Sequence, residues 1–193
     1  NTGKPEEAIA SLEQLNERLG ETPERLGIIG GRYKRLWRAT QEQREEEGGE
    51  RPNRLERRYL GKAIDHYTRG MQLDFNEFYC SSNIAQLLLV RAEEGDAERA
   101  VVVDHFVIAA CERAIARGTD DEWTRPTLLG AAFRSRDVRK ARELAAQIDR
   151  EDPANWKLQS TIGDLRQAVA QASGTTEADA FAQILAGLEE LIE

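Results

Sequence analysis

The chain has 193 residues, of which 32% are charged and only 6% aromatic, and its formal net charge is −8. That length suits one compact domain or one repeat array, and the negative balance argues against generic binding of nucleic acid or acidic membrane by the domain as a whole. No stretch approaches the roughly 18 consecutive apolar residues of a membrane span, and abundant Ala, Leu, Glu and Arg favour helices with solvated outer faces over sheets.

Residues 5–19 begin with Pro5, which suits a first helical position, and place Ala8, Leu12, Leu15 and Leu19 along one face before Gly20 ends the helix. A second helix starts near Pro23 and carries Leu26, Ile29, Gly30 and Tyr33. Gly30 and Gly31 each cost an isolated helix about 1 kcal/mol relative to Ala, so close helix packing is the expected reason for them. The polar stretch 40–53, with Gly48-Gly49 and Pro52, reads as a flexible Glu-rich loop. The next helix, from about Leu55 to Leu73, has Ala63, Tyr67 and Gly70 at helical spacing, and Asp74 to Asn76 breaks the period. Tyr59 to Leu89 therefore reads as helix, tight turn, helix. One such hairpin cannot bury its apolar face alone, which predicts others stacked beside it.

A helix from Glu77 to about Ala92 carries Ile84, Ala85 and Leu88, and Gly95-Asp96 turns the chain. The return helix, 97–116, is apolar along Ala100, Val103, Val107, Ala110, Cys111 and Ala114, with Gly118 as its expected C-cap. Two further helices follow, Asp121 to about Ser135 with Leu129, Gly130 and Phe133, and Val138 to Asp149 with Ala141, Ala145 and Ile148. Another begins at Trp156 and contains Ile162-Gly163. After the break at Ser173 to Thr176, a last helix at about 176–193 carries Ala178, Phe181, Ile184, Leu185, Leu188 and Leu191 and is expected to cover the open end of the array.

These glycine-centred first helices and alanine-centred second helices resemble a divergent tetratricopeptide-repeat array over most of the chain. The resemblance implies an all-α fold, an α-solenoid of antiparallel helix pairs with a C-terminal capping helix, forming a single domain over residues 1–193. More narrowly, LGIIGGRYKRL, AIDHYTRGMQLDFNEFYCSSNIAQLLL and NWKLQSTIGDL resemble the TRAF-binding region of the apoptosis signal-regulating kinases and their bacterial relatives. That likeness implies a regulatory scaffold in a larger signalling or defence protein rather than a catalytic domain. The chain does not open with methionine and carries no signal segment at its start, so it is expected to belong to a longer protein.

Candidate chemistry is sparse. Asp65-His66 and Asp104-His105 each set a carboxylate beside an imidazole, but neighbours on a helix point about 100° apart and form no relay. Ser81-Ser82 beside Cys80 lacks the elbow glycines of a nucleophile, so packing or capping is expected there. Cys80 and Cys111 read as buried reduced thiols, which suggests a cytoplasmic setting, and with the two histidines they lack zinc-ligand spacing. No catalytic residue, metal site or cofactor is expected.

The expected partner is a protein or peptide, or another domain of the same chain; the oligomeric state is left open. Stacked hairpins line a concave face with their first helices, and residues one step beyond the packing positions look into it. On that basis Lys34, Ser82, Gln86, Leu89, Thr127, Arg134, Ser160 and Asp164 form a candidate partner-binding groove, with Gly27, Gly31, Ala131 and Gln167 on the same faces. The alternative is nucleic-acid binding. Between Arg32 and Arg69 there are eleven Lys or Arg against seven Asp or Glu, and Arg54, Arg57, Arg58 and Lys62 form a basic stripe. A solvated helix face paired with Glu45 to Glu47 is the favoured reading of that stripe, which makes nucleic acid the less expected partner.

Overall fold

A computed structural model describes residues 4–151 and 153–192. Among them nine helices and no strand are formed: α1 (Pro5–Leu19), α2 (Pro23–Glu46), α3 (Arg54–Leu73), α4 (Phe78–Arg91), α5 (Asp96–Arg117), α6 (Thr124–Arg134), α7 (Val138–Glu151), α8 (Asn155–Gln171) and α9 (Ala178–Glu189). They divide into two compact units, Asn1–Phe106 and Val107–Glu193, with the boundary inside α5. The extreme ends of the domain expected from the sequence, residues 1–3 and 193, lie outside the described residues.

In the first unit α2 and α3 form the most extensive pair, α4 packs on both, and α1 lies against α2. Local chemistry sets these starts. Thr22 accepts a hydrogen bond from the Arg25 amide at 3.2 Å ahead of Pro23. Asn53 accepts from the Leu55 and Glu56 amides, and the Glu56 carboxylate accepts in return from the Asn53 amide, which completes a capping box. Glu77 caps α4 through the Tyr79 and Cys80 amides. Leu26, Ile29, Ala63, Ile64, Tyr67, Ile84, Leu87 and Leu88 make the core.

Close approach explains two glycines in this unit. A Cβ on Gly30 would sit 3.0 Å from the Tyr67 ring, and one on Gly70 would lie 2.5 Å from Cys80 Sγ and 3.4 Å from Leu26 Cβ. Helices α2, α3 and α4 therefore meet at contact distance through positions that lack side chains.

The second unit pairs α6 with α7 and α8 with α9; α8 also packs on α6, and α9 on α7. Leu128, Leu129, Phe133, Leu144, Ile148, Leu158, Ile162, Leu165 and Phe181 fill it, and the Phe133 and Phe181 ring centroids stand 4.5 Å apart. The glycines at the corresponding helical positions of this unit make no close contact with a neighbouring helix. A Cβ on Gly163 would meet nothing within 4 Å, and on Gly130 it would meet only the guanidinium of Arg134.

Two further expectations are corrected. Helix α2 runs on to Glu46, so residues 40–46 are helix and only about 47–53 connect it to α3. Polarity alone does not break a helix: Gln41 and Gln43 donate to Glu45 and Glu47 four residues on, and the chain leaves the helix only at Gly48, whose φ is +74°. The face of α1 is also rotated from Ala8, Leu12, Leu15 and Leu19. Ile9 is its buried residue, whereas Leu19 is 70% exposed. Asn16 accepts from Arg25 Nε at 2.8 Å, so a polar contact helps set which side of α1 meets α2.

Candidate protein-interaction surface

The eight groove candidates fall into two sets, one in each unit. In the first, Lys34 Nζ donates to Asn83 Oδ1 at 2.9 Å, which ties α2 to α4 between successive first helices. Ser82 is half-buried and its hydroxyl donates back to the Tyr79 carbonyl, and Leu89 is half-buried. Gln86 departs from the expectation of an open groove. It is 4% exposed, and neither its Oε1 nor its Nε2 has a partner among the described residues. The five consecutive residues Ile84 to Leu88 are all buried, so α4 is covered all round there, and stepping one residue from a packing position does not reach solvent.

Gly27 and Gly31 do not open the surface either. The Tyr79 ring lies 2.6 Å from where a Gly27 Cβ would be, and its hydroxyl lies 3.4 Å from the Gly31 position. Tyr79, 45% exposed, is the side chain that occupies this part of the face. In the second unit Thr127, Arg134 and Asp164 are half-buried and Ser160 is exposed, on the packed helices α6 and α8. At the starts of those helices the rings of Trp123 and Trp156 stand 5.7 Å apart, with Trp156 61% exposed and the Lys157 ammonium 5.4 Å from its centroid. Lys157 also pairs with Glu122.

The acid and imidazole pairs are split as helix geometry requires. Asp65 is exposed while His66 is buried, and Asp104 is buried while His105 is exposed. Burial pushes both the Cys80 and Cys111 thiols up to about 12, so they are poor nucleophiles near neutrality. Among the described residues no group of three His, Cys, Asp or Glu side chains is arranged to hold a metal, and no helix is long and apolar enough to cross a membrane.

His66 is 4% exposed, stacks on Tyr33 with centroids 5.5 Å apart, and has no hydrogen-bond partner on either ring nitrogen among the described residues. Glu13 Oε1 on α1 is 3.9 Å from Nε2, beyond hydrogen-bonding range. Burial, with a smaller contribution from Lys62, lowers the His66 pKa from 6.5 against the opposing pull of Asp65 and Glu13. A folded pKa below the unfolded one means that the neutral imidazole's contribution to stability is complete above the unfolded value and is lost as pH falls through the folded one. The wild type is therefore expected to lose more stability than His66→Phe between about pH 7 and about pH 5 in urea titrations. Parallel stability curves for the two proteins would contradict this.

The basic stripe of α3 is exposed, and Arg54, Arg57, Arg58 and Lys62 form no ion pair among the described residues. The expected pairing with Glu45 to Glu47 is not made. Glu45 contacts Arg44 instead, because the extra helical turns of α2 carry these glutamates on the same helix as that arginine. Tyr59, which lies within the stripe, is half-buried with its ring 6.2 Å from Tyr33, and so is not presented for base stacking.

Sequence reasoning missed the polar cluster beyond this stripe. The Arg44 guanidinium reaches both Glu56 oxygens from Nε, at 3.0 and 3.2 Å, and the Gly49 carbonyl from Nη1 at 2.5 Å. Glu56 is only 2% exposed, so this is a buried ion pair that staples the 47–53 connection. Its signal was the helical spacing of Trp37, Gln41 and Arg44, hidden by reading 40–53 as loop.

Helices packed in successive pairs, with no strand among the described residues, define an all-α, tetratricopeptide-like fold. A family model described as Tetratricopeptide Repeats-Sensor matches residues 1–88, from α1 through most of α4. Comparison with curated proteins and comparison with solved structures each gave no match.

Proposed function

We propose that this segment is an interaction module of a larger signalling or defence protein, working in the cytoplasm, where the first helices of its pairs receive a peptide, a helix or a neighbouring domain. Tetratricopeptide repeats in general mediate contacts between proteins, which supports the reading. The observation that carries it is the α2 to α4 face, where the Lys34 to Asn83 hydrogen bond holds two first helices together and the half-exposed Tyr79 presents a large ring with a polar tip. Lys34, Ser82 and Leu89 in the first unit, and Thr127, Arg134, Ser160 and Asp164 in the second, are the side chains offered to a partner. Gln86 is buried and leaves that set. The narrower likeness to the TRAF-binding region of the apoptosis signal-regulating kinases belongs to the same proposal and adds an autoregulatory role.

A photocrosslinking amino acid placed at Ser82 or Ser160 in the full-length protein tests this directly. Crosslinks to a protein segment, in the same chain or another, are expected from those positions and not from Arg142, which is exposed on second helix α7. Equal yields from Arg142 and from the two test positions, or none from either test position, would remove the proposal.

A further inference from the structure

The first unit contains a cavity of about 310 Å³ between the C-terminal half of α2, the start of α3 and the end of α4. That volume lies at the lower end of the roughly 300–1,000 Å³ found for small-molecule sites. Its apolar lining is Trp37, Leu60, Val90 and Pro52, and its polar lining includes Gln41, Arg44, Arg57 and Arg91. We propose that this cavity binds a small organic anion, a carboxylate or phosphate attached to an apolar body. The proposal is independent of the interaction face.

The hydrogen-bond inventory favours an acceptor-rich guest. Two of the arginines are held in place by carboxylates. Arg44 is held by Glu56, and Arg91 donates from Nε and Nη2 to Asp96 at 2.8 and 2.6 Å, with Asp96 only 1% exposed. Those bonds also hold the Asp96 carboxyl below its usual range, so the carboxylate stays ionised and the guanidinium stays oriented. The lining acid Glu56 is already engaged, accepting from Arg44 and from the Asn53 amide. Glu93 contacts Arg91 at 3.2 Å and is 68% exposed. Arg57 has no partner among the described residues, and it also belongs to the α3 stripe with Arg54, Arg58 and Lys62. The cavity therefore has donors to spare and few acceptors, and an unpaired basic stripe shares one of its walls. Guanidinium groups suit the oxygens of a carboxylate or phosphate, and Trp37, Leu60 and Val90 suit an apolar body joined to it.

The test uses three probes that share a phenyl body: phenylacetate, phenyl phosphate and uncharged 2-phenylethanol. In NMR titrations of the whole chain, one or both anions are expected to shift the Trp37 indole and the Leu60 and Val90 methyl resonances saturably, with the alcohol at least about tenfold weaker. The stronger of the two anions names the headgroup. Arg57→Glu changes an exposed, unpaired side chain and is expected to weaken anion binding at least about tenfold while leaving the unfolding midpoint unchanged. Arg57→Lys, which keeps the charge, should lie between the two. No saturable shift by either anion up to about 10 mM would overturn the inference, as would equal binding of alcohol and anion, or equal binding by wild type and Arg57→Glu.

Discussion

Gly70→Ala is expected to destabilise the protein, although glycine to alanine inside a helix ordinarily stabilises by about 1 kcal/mol. The new methyl would sit 2.5 Å from Cys80 Sγ, 3.3 Å from Cys80 Cβ and 3.4 Å from Leu26 Cβ. Cys80 and Leu26 are both 0% exposed, so neither side chain can swing into solvent to relieve the clash. Overpacking of this kind costs about 1–3 kcal/mol, which equals or outweighs the propensity gain. The double variant Gly70→Ala/Cys80→Ala removes the sulfur and should be less destabilised than the two single changes predict when added together. Gly163→Ala is the matched control. That position is helical with nothing within 4 Å, so the same change there should raise stability by up to about 1 kcal/mol. Urea unfolding of the wild type and the four variants, Cys80→Ala included, decides the matter, and a stabilising Gly70→Ala would refute the close-packing account.

Arg44→Met is expected to have the larger effect, a loss of about 3–5 kcal/mol, because it strands the Glu56 carboxylate without its cation. Glu56 is 2% exposed and, among the described residues, would keep only the Asn53 amide as donor. The same change frees the Gly49 carbonyl, so the 47–53 connection should become more susceptible to proteolysis before the helices unfold. Removing both charges is a different case. Arg44→Met/Glu56→Leu leaves no uncompensated buried charge and should recover much of the loss, although it also forfeits the capping box of α3, worth about 1 kcal/mol. If the single variant costs less than about 1 kcal/mol, the pair is a surface contact and not the staple described here.

Both predictions concern positions where the amino-acid pattern gave only half of the answer. Gly30, Gly70, Gly130 and Gly163 stand at similar places in helical patterns, yet only the first two face a neighbouring helix at contact distance. Spacing reports which side of a helix a residue occupies. How near the next helix comes depends on which side chains meet there, here Tyr67 and Cys80. Tyr79 shows the same limit, since its ring covers Gly27 from a helix about fifty residues further along the chain, and no local pattern encodes that contact.

Helical class, most helix boundaries, the turns at Gly20, Asp74 and Gly118, and the burial of Tyr67, Cys111 and Phe181 follow from the sequence itself. Periodic apolar residues and glycine stops act over one or two helical turns, so local order carries them. The division within α5, the all-round burial of α4, the Arg44 to Glu56 pair and the arginine-lined cavity were decided only by tertiary structure. Each depends on segments distant in the chain meeting at a particular separation, and a charged residue written in sequence does not reveal whether its partner is a carboxylate or water. The stretch 40–46 joins the two levels: its glutamines and glutamates are good helix formers, but only the path of α2 past the start of α3 turns Arg44 into the partner of Glu56.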